Sequence, residues 1–170
     1  MTPKENIQAL RQLMQAEGWG AVVISGTDPH SSEYLPQRWQ VRQWLSGFTG
    51  SAGTVVVTAD QAGLWTDSRY FLQAAAQLEG SGIALHKLGL PDTVDYPEWI
   101  AENLAENSTV CVDGLCMPLA AIRWMQGLFA STDAMPGYFL LESYYLIITF
   151  LLLIILIPFC GVMRRTPVTE

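Results

Sequence analysis

The chain has 170 residues, of which 50% are hydrophobic and only 15% are charged. This length accommodates one ordinary domain with a short appendage, and the composition excludes an intrinsically disordered protein. Acidic residues outnumber basic ones 16 to 9, and the resulting net charge of −7 argues against a nucleic-acid-binding protein, which needs a basic surface. Three cysteines are an odd number and too few for a disulfide scaffold, which favours a reducing compartment.

Charge and hydrophobicity divide the chain into two parts. Residues 1–134 carry seven basic and fourteen acidic residues, hence the whole net charge, whereas residues 135–170 sum to zero. Within this second part, residues 144–163 form a stretch of twenty without a charge. A helix of that length spans about 30 Å, the thickness of a bilayer hydrocarbon core. The sequence therefore predicts a body over 1–134 and a hydrophobic tail over 135–170, with a transmembrane helix at 144–163.

The body is predicted to alternate helices and strands. It opens with Thr2 as a cap, Pro3 at the first helical position and Glu5 three residues after the cap, so a helix begins here, and Gly18 is its expected end. The further predicted elements are, in chain order, a strand at 19–25, a short helix at 38–45, a hairpin of strands 54–58 and 64–66, a helix at 68–78, a strand at 83–88, a helix at 96–106, a strand at 109–113 and a helix at 118–129. This order predicts an α/β fold with a mixed β-sheet flanked by helices.

The residue patterns of the body contain no complete active site. His30 and His86 are 56 residues apart and belong to no metal-binding motif, and Cys111 and Cys116 fit buried thiols better than metal ligands. The glycine-rich segment 47–53 (GFTGSAG) is neither a phosphate loop nor a dinucleotide fingerprint. Its glycines fit tight backbone geometry before the following strand.

Two polar clusters nevertheless stand out. Residues 27–34 (TDPHSSEY) concentrate polar side chains in one loop, which is either a solvated loop with a turn at Asp28 or a functional one. Residues 65–71 (WTDSRYF) lie where a strand ends and a helix begins. Arg69 in the first helical turn faces an unfavourable helix dipole, so it needs a partner. A salt bridge to Asp67 is the simpler explanation, and a bound ligand is the alternative.

These clusters carry a resemblance to a known family. The segments 27–34 (TDPHSSEY), 44–58 (WLSGFTGSAGTVVVT) and 64–75 (LWTDSRYFLQAA), in this order and spacing, resemble the N-terminal domain of Xaa-Pro aminopeptidases (aminopeptidase P), also called the creatinase N-terminal domain. The resemblance covers about residues 3–130 and does not extend to 135–170.

The resemblance implies that catalytic chemistry lies outside this chain. Family members resemble two-domain enzymes whose C-terminal domain holds two metal ions, usually manganese, on two aspartates, a histidine and two glutamates. All of these ligands would follow residue 134, so we expect no cofactor in this chain and no peptidase activity from it alone. The resemblance implies instead a body that supports oligomerisation and walls the active site of its own or a neighbouring subunit.

The resemblance also suggests site residues and partners. At matching positions, Arg69 and Tyr70, and more weakly His30, are expected to contact the peptide substrate, because a guanidinium binds a carboxylate bidentately. The expected partners are a second copy of the chain or a separate catalytic chain, and the membrane through residues 144–163. The body is expected in the cytoplasm, and at the membrane if the tail is a genuine anchor.

The tail leaves alternatives open. Arg164 and Arg165 follow the apolar stretch, so the positive-inside rule would export the body, yet the N-terminal segment does not have the pattern of a signal peptide. This favours a truncated or frame-shifted gene over a true anchor. Three functions remain: a non-catalytic domain of an Xaa-Pro aminopeptidase-like protein that is truncated before its metal-binding domain, a membrane-anchored interaction module, or a subunit that completes a separately encoded peptidase.

Overall fold

The computed structural model describes residues 1–105, 108–131 and 138–141, and side chains as far as residue 129. Helices and strands alternate along these residues. The helices are α1 (Pro3–Glu17), α2 (Val41–Ser46), α3 (Phe71–Gln77), α4 (Tyr96–Asn103) and α5 (Leu119–Ser131). The strands are β1 (Trp19–Ser25), β2 (Thr54–Thr58), β3 (Ala62–Thr66), β4 (Ala84–Lys87), β5 (Thr109–Asp113) and β6 (Tyr138–Leu141).

The ends of α1 form as the sequence predicts. The Thr2 hydroxyl accepts the Glu5 backbone N–H at 3.3 Å, and the Glu5 carboxylate accepts the Thr2 N–H at 2.7 Å, which completes a capping box. Gly18 ends the helix with a φ of 72°, a left-handed conformation that glycine adopts without strain. The apolar stripe of α1 is buried against the sheet at Ile7, Leu10 and Met14.

The strands form one mixed sheet in the order β4-β3-β2-β1-β5-β6. The pairs β1–β2 and β2–β3 are antiparallel, so the predicted hairpin is confirmed, while β3–β4, β1–β5 and β5–β6 are parallel. Because strand side chains alternate between faces, the sheet separates two apolar cores. One core packs under α1, α2 and α3, and the other packs under α4 and α5. The α/β prediction of a mixed sheet flanked by helices is therefore confirmed.

Several element boundaries differ from the prediction. The short helix at 38–45 is split into a 3-10 turn, Gln37–Trp39, and α2, because Gln40 between them has a ψ of 40°. The helix at 68–78 likewise begins as a 3-10 turn, Ser68–Tyr70, before α3. The helix at 96–106 ends at Asn103, because Leu104 is extended.

The last described strand was not predicted. Strand β6 follows residue 134, the predicted end of the body, and pairs in parallel with β5. Four apolar residues beside a long apolar stretch have no periodicity of their own that marks a strand. The predicted transmembrane helix at 144–163 lies outside the described residues. Within the part of the chain that is described, no helix is long and apolar enough to cross a membrane.

Candidate functional site

The segment after β3 forms a small polar surface around Arg69. Asp67 caps the 3-10 turn by accepting the Arg69 backbone N–H at 3.0 Å. The Asp67 carboxylate also accepts the Arg69 Nε–H at 2.9 Å and an Nη2–H at 2.8 Å, so the two side chains form a bidentate ion pair. This pairing lowers the pKa of Asp67 and raises the pKa of Arg69. The salt bridge given above as the simpler explanation for Arg69 is therefore present.

The ion pair leaves Arg69 with unused donor capacity. Its side chain is 66% exposed, and the ion pair takes two of the five N–H groups of the guanidinium. Asp67 thus fixes the orientation of the guanidinium, while its outer edge faces solvent. A carboxylate or carbonyl oxygen of a ligand can accept hydrogen bonds from this edge without displacing Asp67.

Tyr70 lies beside Arg69 on the same surface. The Arg69 guanidinium carbon is 5.3 Å from the centre of the Tyr70 ring. The Tyr70 hydroxyl is hydrogen-bonded to the Ser51 hydroxyl at 2.7 Å, and its ring packs edge-on against Phe48 at 5.9 Å between centroids. The hydrogen bond to Ser51 lowers the pKa of Tyr70. Tyr70 therefore joins the start of the helical segment to the glycine-rich loop 47–53.

Arg42 holds this loop from beneath. Its side chain is buried, and it donates one Nη–H to the Gly53 carbonyl at 3.0 Å and another to the Gly50 carbonyl. The guanidinium lies over the Phe48 ring, 5.1 Å from its centre. Burial lowers the pKa of Arg42 to about 10, so the residue stays protonated at neutral pH. We call Arg42 and these two carbonyls the Arg42 clamp.

Two glycines make room for this packing. A Cβ at Gly26 would collide with the Arg42 guanidinium, and a Cβ at Gly50 would lie 2.7 Å from a carbon of the Tyr70 ring. Sequence reasoning missed Arg42. A usable signal was its spacing from Leu45 and Ser46, because residues three and four apart share a helix face and both of these neighbours are buried.

His30 belongs to a different loop, after β1. The buried Asp28 carboxylate accepts the backbone N–H groups of Ser32 at 2.9 Å and His30 at 3.0 Å, which together lower the pKa of Asp28. The turn predicted at Asp28 is therefore confirmed, and the His30 side chain is exposed. Among the described residues, Arg69 and Tyr70 contact one another, whereas the backbone N–H of His30 donates to Asp28 on a different loop.

The part of the chain that is described does not bring metal-ligating side chains together. No cluster of three or more histidine, cysteine, aspartate or glutamate side chains there could hold a metal ion. His86 stacks on Trp65 with 3.9 Å between ring centres. Cys111 and Cys116 are buried free thiols, and burial raises the pKa of each to about 12. The prediction that Cys111 and Cys116 are buried thiols is therefore confirmed.

Comparison with known proteins relates the chain to proline-specific peptidases. The family model of the creatinase/prolidase N-terminal domain matches residues 6–138. The chain is 46% identical over 111 residues to Aminopeptidase P2 of Arabidopsis thaliana, covering 64% of the chain and 16% of that protein. It is 45% identical over 114 residues to a probable Xaa-Pro aminopeptidase P of Metarhizium robertsii, covering 67% of the chain and 18% of that protein. The chain thus spans less than a fifth of the length of these relatives.

Solved structures agree with this relationship. The X-prolyl aminopeptidase of Caenorhabditis elegans, described as a cytosolic enzyme with a di-nuclear active site, is 32% identical with a TM-score of 0.76. The match covers 82% of this chain and 24% of that one. The N-terminal domain of the cytoplasmic peptidase PepQ from Mycobacterium tuberculosis, 21% identical with a TM-score of 0.56, shares the fold over 81% of this chain and 94% of that one.

Proposed function

Since the chain belongs to the family of creatinase/prolidase N-terminal domains, we propose that it is a non-catalytic, substrate-facing domain of an Xaa-Pro aminopeptidase-like protein. The observation that carries this proposal is the surface of Arg69, Tyr70 and Ser51, whose hydrogen-bonding groups lie together. Ser51 is on the loop that the Arg42 clamp holds, and its hydroxyl is bonded to Tyr70. The described residues lack a metal-binding cluster, so the proposed role is to position the peptide.

The chemistry of this surface suits a peptide backbone. The outer edge of Arg69 can donate to a carbonyl or carboxylate oxygen, and the Tyr70 hydroxyl can donate to a ligand while accepting from Ser51. The ion pair with Asp67 orients the guanidinium beforehand, which reduces the entropy lost on binding. His30, exposed on its own loop, is a weaker contact for the same peptide in this proposal.

We also propose that the domain associates with a second copy or with a separate catalytic chain. Large apolar side chains are exposed on and just before α5, with Leu115 48%, Leu119 58% and Trp124 47% accessible. In this proposal these side chains are where the partner makes contact. We assign the body to the cytoplasm, because the C. elegans relative is described as cytosolic.

The first test is direct. The purified full chain is incubated with an Xaa-Pro peptide, with and without manganese, and the released N-terminal residue is measured. We expect no release beyond that of a mock purification from the same host, because metal-activated water needs a metal held by several ligands. Metal-dependent cleavage that copurifies with the chain would contradict the non-catalytic role.

The second test measures the substrate-facing surface. Residues 1–131 replace the corresponding segment of the C. elegans enzyme, and Arg69→Gln and Tyr70→Phe are introduced into this chimera. We expect Arg69→Gln to lower kcat/KM for Xaa-Pro peptides about tenfold, mainly through KM, because a charged hydrogen bond to the peptide is lost. Lys4→Gln removes an exposed positive charge elsewhere and serves as the matched control. Equal kcat/KM for Arg69→Gln and Lys4→Gln in an active chimera would refute the contact.

A further inference from the structure

A groove lies over β1 and β5, on the face of the sheet that α1 and α2 cover. It encloses about 80 Å³ and is lined almost entirely by apolar side chains. Three indoles, Trp19, Trp39 and Trp44, contribute to its walls, and each is partly exposed. We call this space the β1–β5 groove. The surface formed by Arg69 and Tyr70 does not line it.

The groove extends to the carboxyl ends of two neighbouring parallel strands. The chain leaves β1 through α2 toward β2, on one side of β1 and on one face of the sheet. It leaves β5 through α5 toward β6, in the opposite direction and on the opposite face. Because β1 and β5 run parallel, their carboxyl ends lie side by side at one edge of the sheet. Residues from these ends, among them Ser25, Thr27 and Asp113, line the groove.

The polar end of the groove is negatively charged. Asp113 is the one charged residue in the lining, and no basic side chain of the described residues joins it there. Its carboxylate accepts the backbone N–H of Leu115 at 2.9 Å, a neutral partner. Burial raises the pKa of the Cys116 thiol most, and the negative charges of Asp113 and of the buried Asp28 raise it further, so both carboxylates lie near this end of the groove. Arg42 does not line the groove, since its donors meet the Gly50 and Gly53 carbonyls.

We propose that the β1–β5 groove binds a small organic cation, namely a protonated amine on a branched apolar body of about four carbon atoms. The ammonium group donates to the Asp113 carboxylate, and the hydroxyls of Ser25 and Thr27 accept its remaining hydrogens. The apolar body packs against the apolar side chains that line the groove. This site is separate from the proposed peptide-facing surface.

Three ligands of one shape test the charge requirement. Isobutylammonium, isobutanol and isobutyrate are titrated into the full chain, and binding is followed by tryptophan fluorescence and by saturation-transfer NMR of the ligand. We expect isobutylammonium to bind about tenfold more tightly than isobutanol, because only the ammonium forms a charged hydrogen bond, and isobutyrate not to bind. Equal affinity for the amine and the alcohol would overturn the proposal.

Variants assign the contact to Asp113. Asp113→Asn keeps an oxygen that accepts the Leu115 N–H, so the turn is preserved, and a thermal melt checks this. We expect it to weaken isobutylammonium about tenfold and to leave isobutanol unchanged. Trp44→Leu should weaken both ligands, and Asp92→Asn, at an exposed turn, should change neither. The proposal would be overturned if the full chain does not bind the amine, as would follow if another segment fills the groove. It would also be overturned if Asp113→Asn binds the amine as tightly as wild type. Neither outcome bears on the Arg69 chimera.

Discussion

Substitution of Arg42 is the sharpest test of how the site is held. In Arg42→Lys the positive charge remains, but a single ammonium cannot replace a planar fork that serves the Gly50 and Gly53 carbonyls at once. Loss of one hydrogen bond to a buried charged group costs about 1.5–3 kcal/mol. For a chain of this size that lowers Tm by roughly 3–12 °C, at about 2–4 °C for each kcal/mol.

Arg42→Met separates the charge from the hydrogen bonds. It leaves both carbonyls without the guanidinium but also removes a buried cation whose desolvation is costly, so its effect is smaller than two full hydrogen bonds. We expect the free energy of unfolding to fall by about 2–4 kcal/mol, which thermal and urea unfolding can measure. Arg123→Lys, at an exposed position of α5, is the control and should stay within about 0.5 kcal/mol of wild type. Wild-type stability of both Arg42 variants would refute the clamp.

Three further outcomes are expected. Asp28→Asn should lower the free energy of unfolding at neutral pH. The native hydrogen bonds lower the pKa of Asp28 below its ordinary 3.8, so the stability difference between wild type and variant should shrink as the pH falls through that lowered pKa. Urea titrations at several pH values measure this difference. A stability difference between wild type and Asp28→Asn that stays constant down to pH 2 would contradict this prediction. Cys111 and Cys116, whose pKa values are raised to about 12, should react with iodoacetamide at pH 8 only after unfolding, as peptide mass spectrometry can show. The sequence predicts that residues 144–163 insert into a membrane, and Ile154→Arg should make the free energy of insertion less favourable by about 3 kcal/mol. If that variant fractionates with membranes as wild type does, the anchor lies elsewhere.

Local signals account for the parts of the fold that the sequence predicted well. The cap and end of α1 depend on Thr2, Glu5 and Gly18, which act within one or two helical turns. The hairpin of β2 and β3 likewise joins neighbouring residues, with Thr54 opposite Trp65. The bidentate pairing of Arg69 with Asp67, two residues away, belongs to the same class. Interactions that close over a few residues leave a pattern that can be read along the chain.

The features that sequence reasoning missed depend on distant partners. Strand β6 is defined by its pairing with β5, because its apolar residues alone fit equally well into the stretch that follows. In the sequence, Arg42 resembles an ordinary exposed base of a short helix. Its buried position depends on the loop that places the Gly50 and Gly53 carbonyls against it. The β1–β5 groove needs the relative positions of helices and strands, and connection lengths do not supply them.

The same distinction separates the partner of Arg69, which the sequence predicted, from the partners of Tyr70, which it did not. Arg69 is held by a neighbour in sequence, whereas the Tyr70 hydroxyl meets Ser51, 19 residues earlier. That contact exists because the Arg42 clamp fixes the loop that carries Ser51, and because Phe48 packs against both Arg42 and Tyr70. The exposed polar surface is therefore anchored by a buried cation, and its geometry depends on the stability of the loop beneath it.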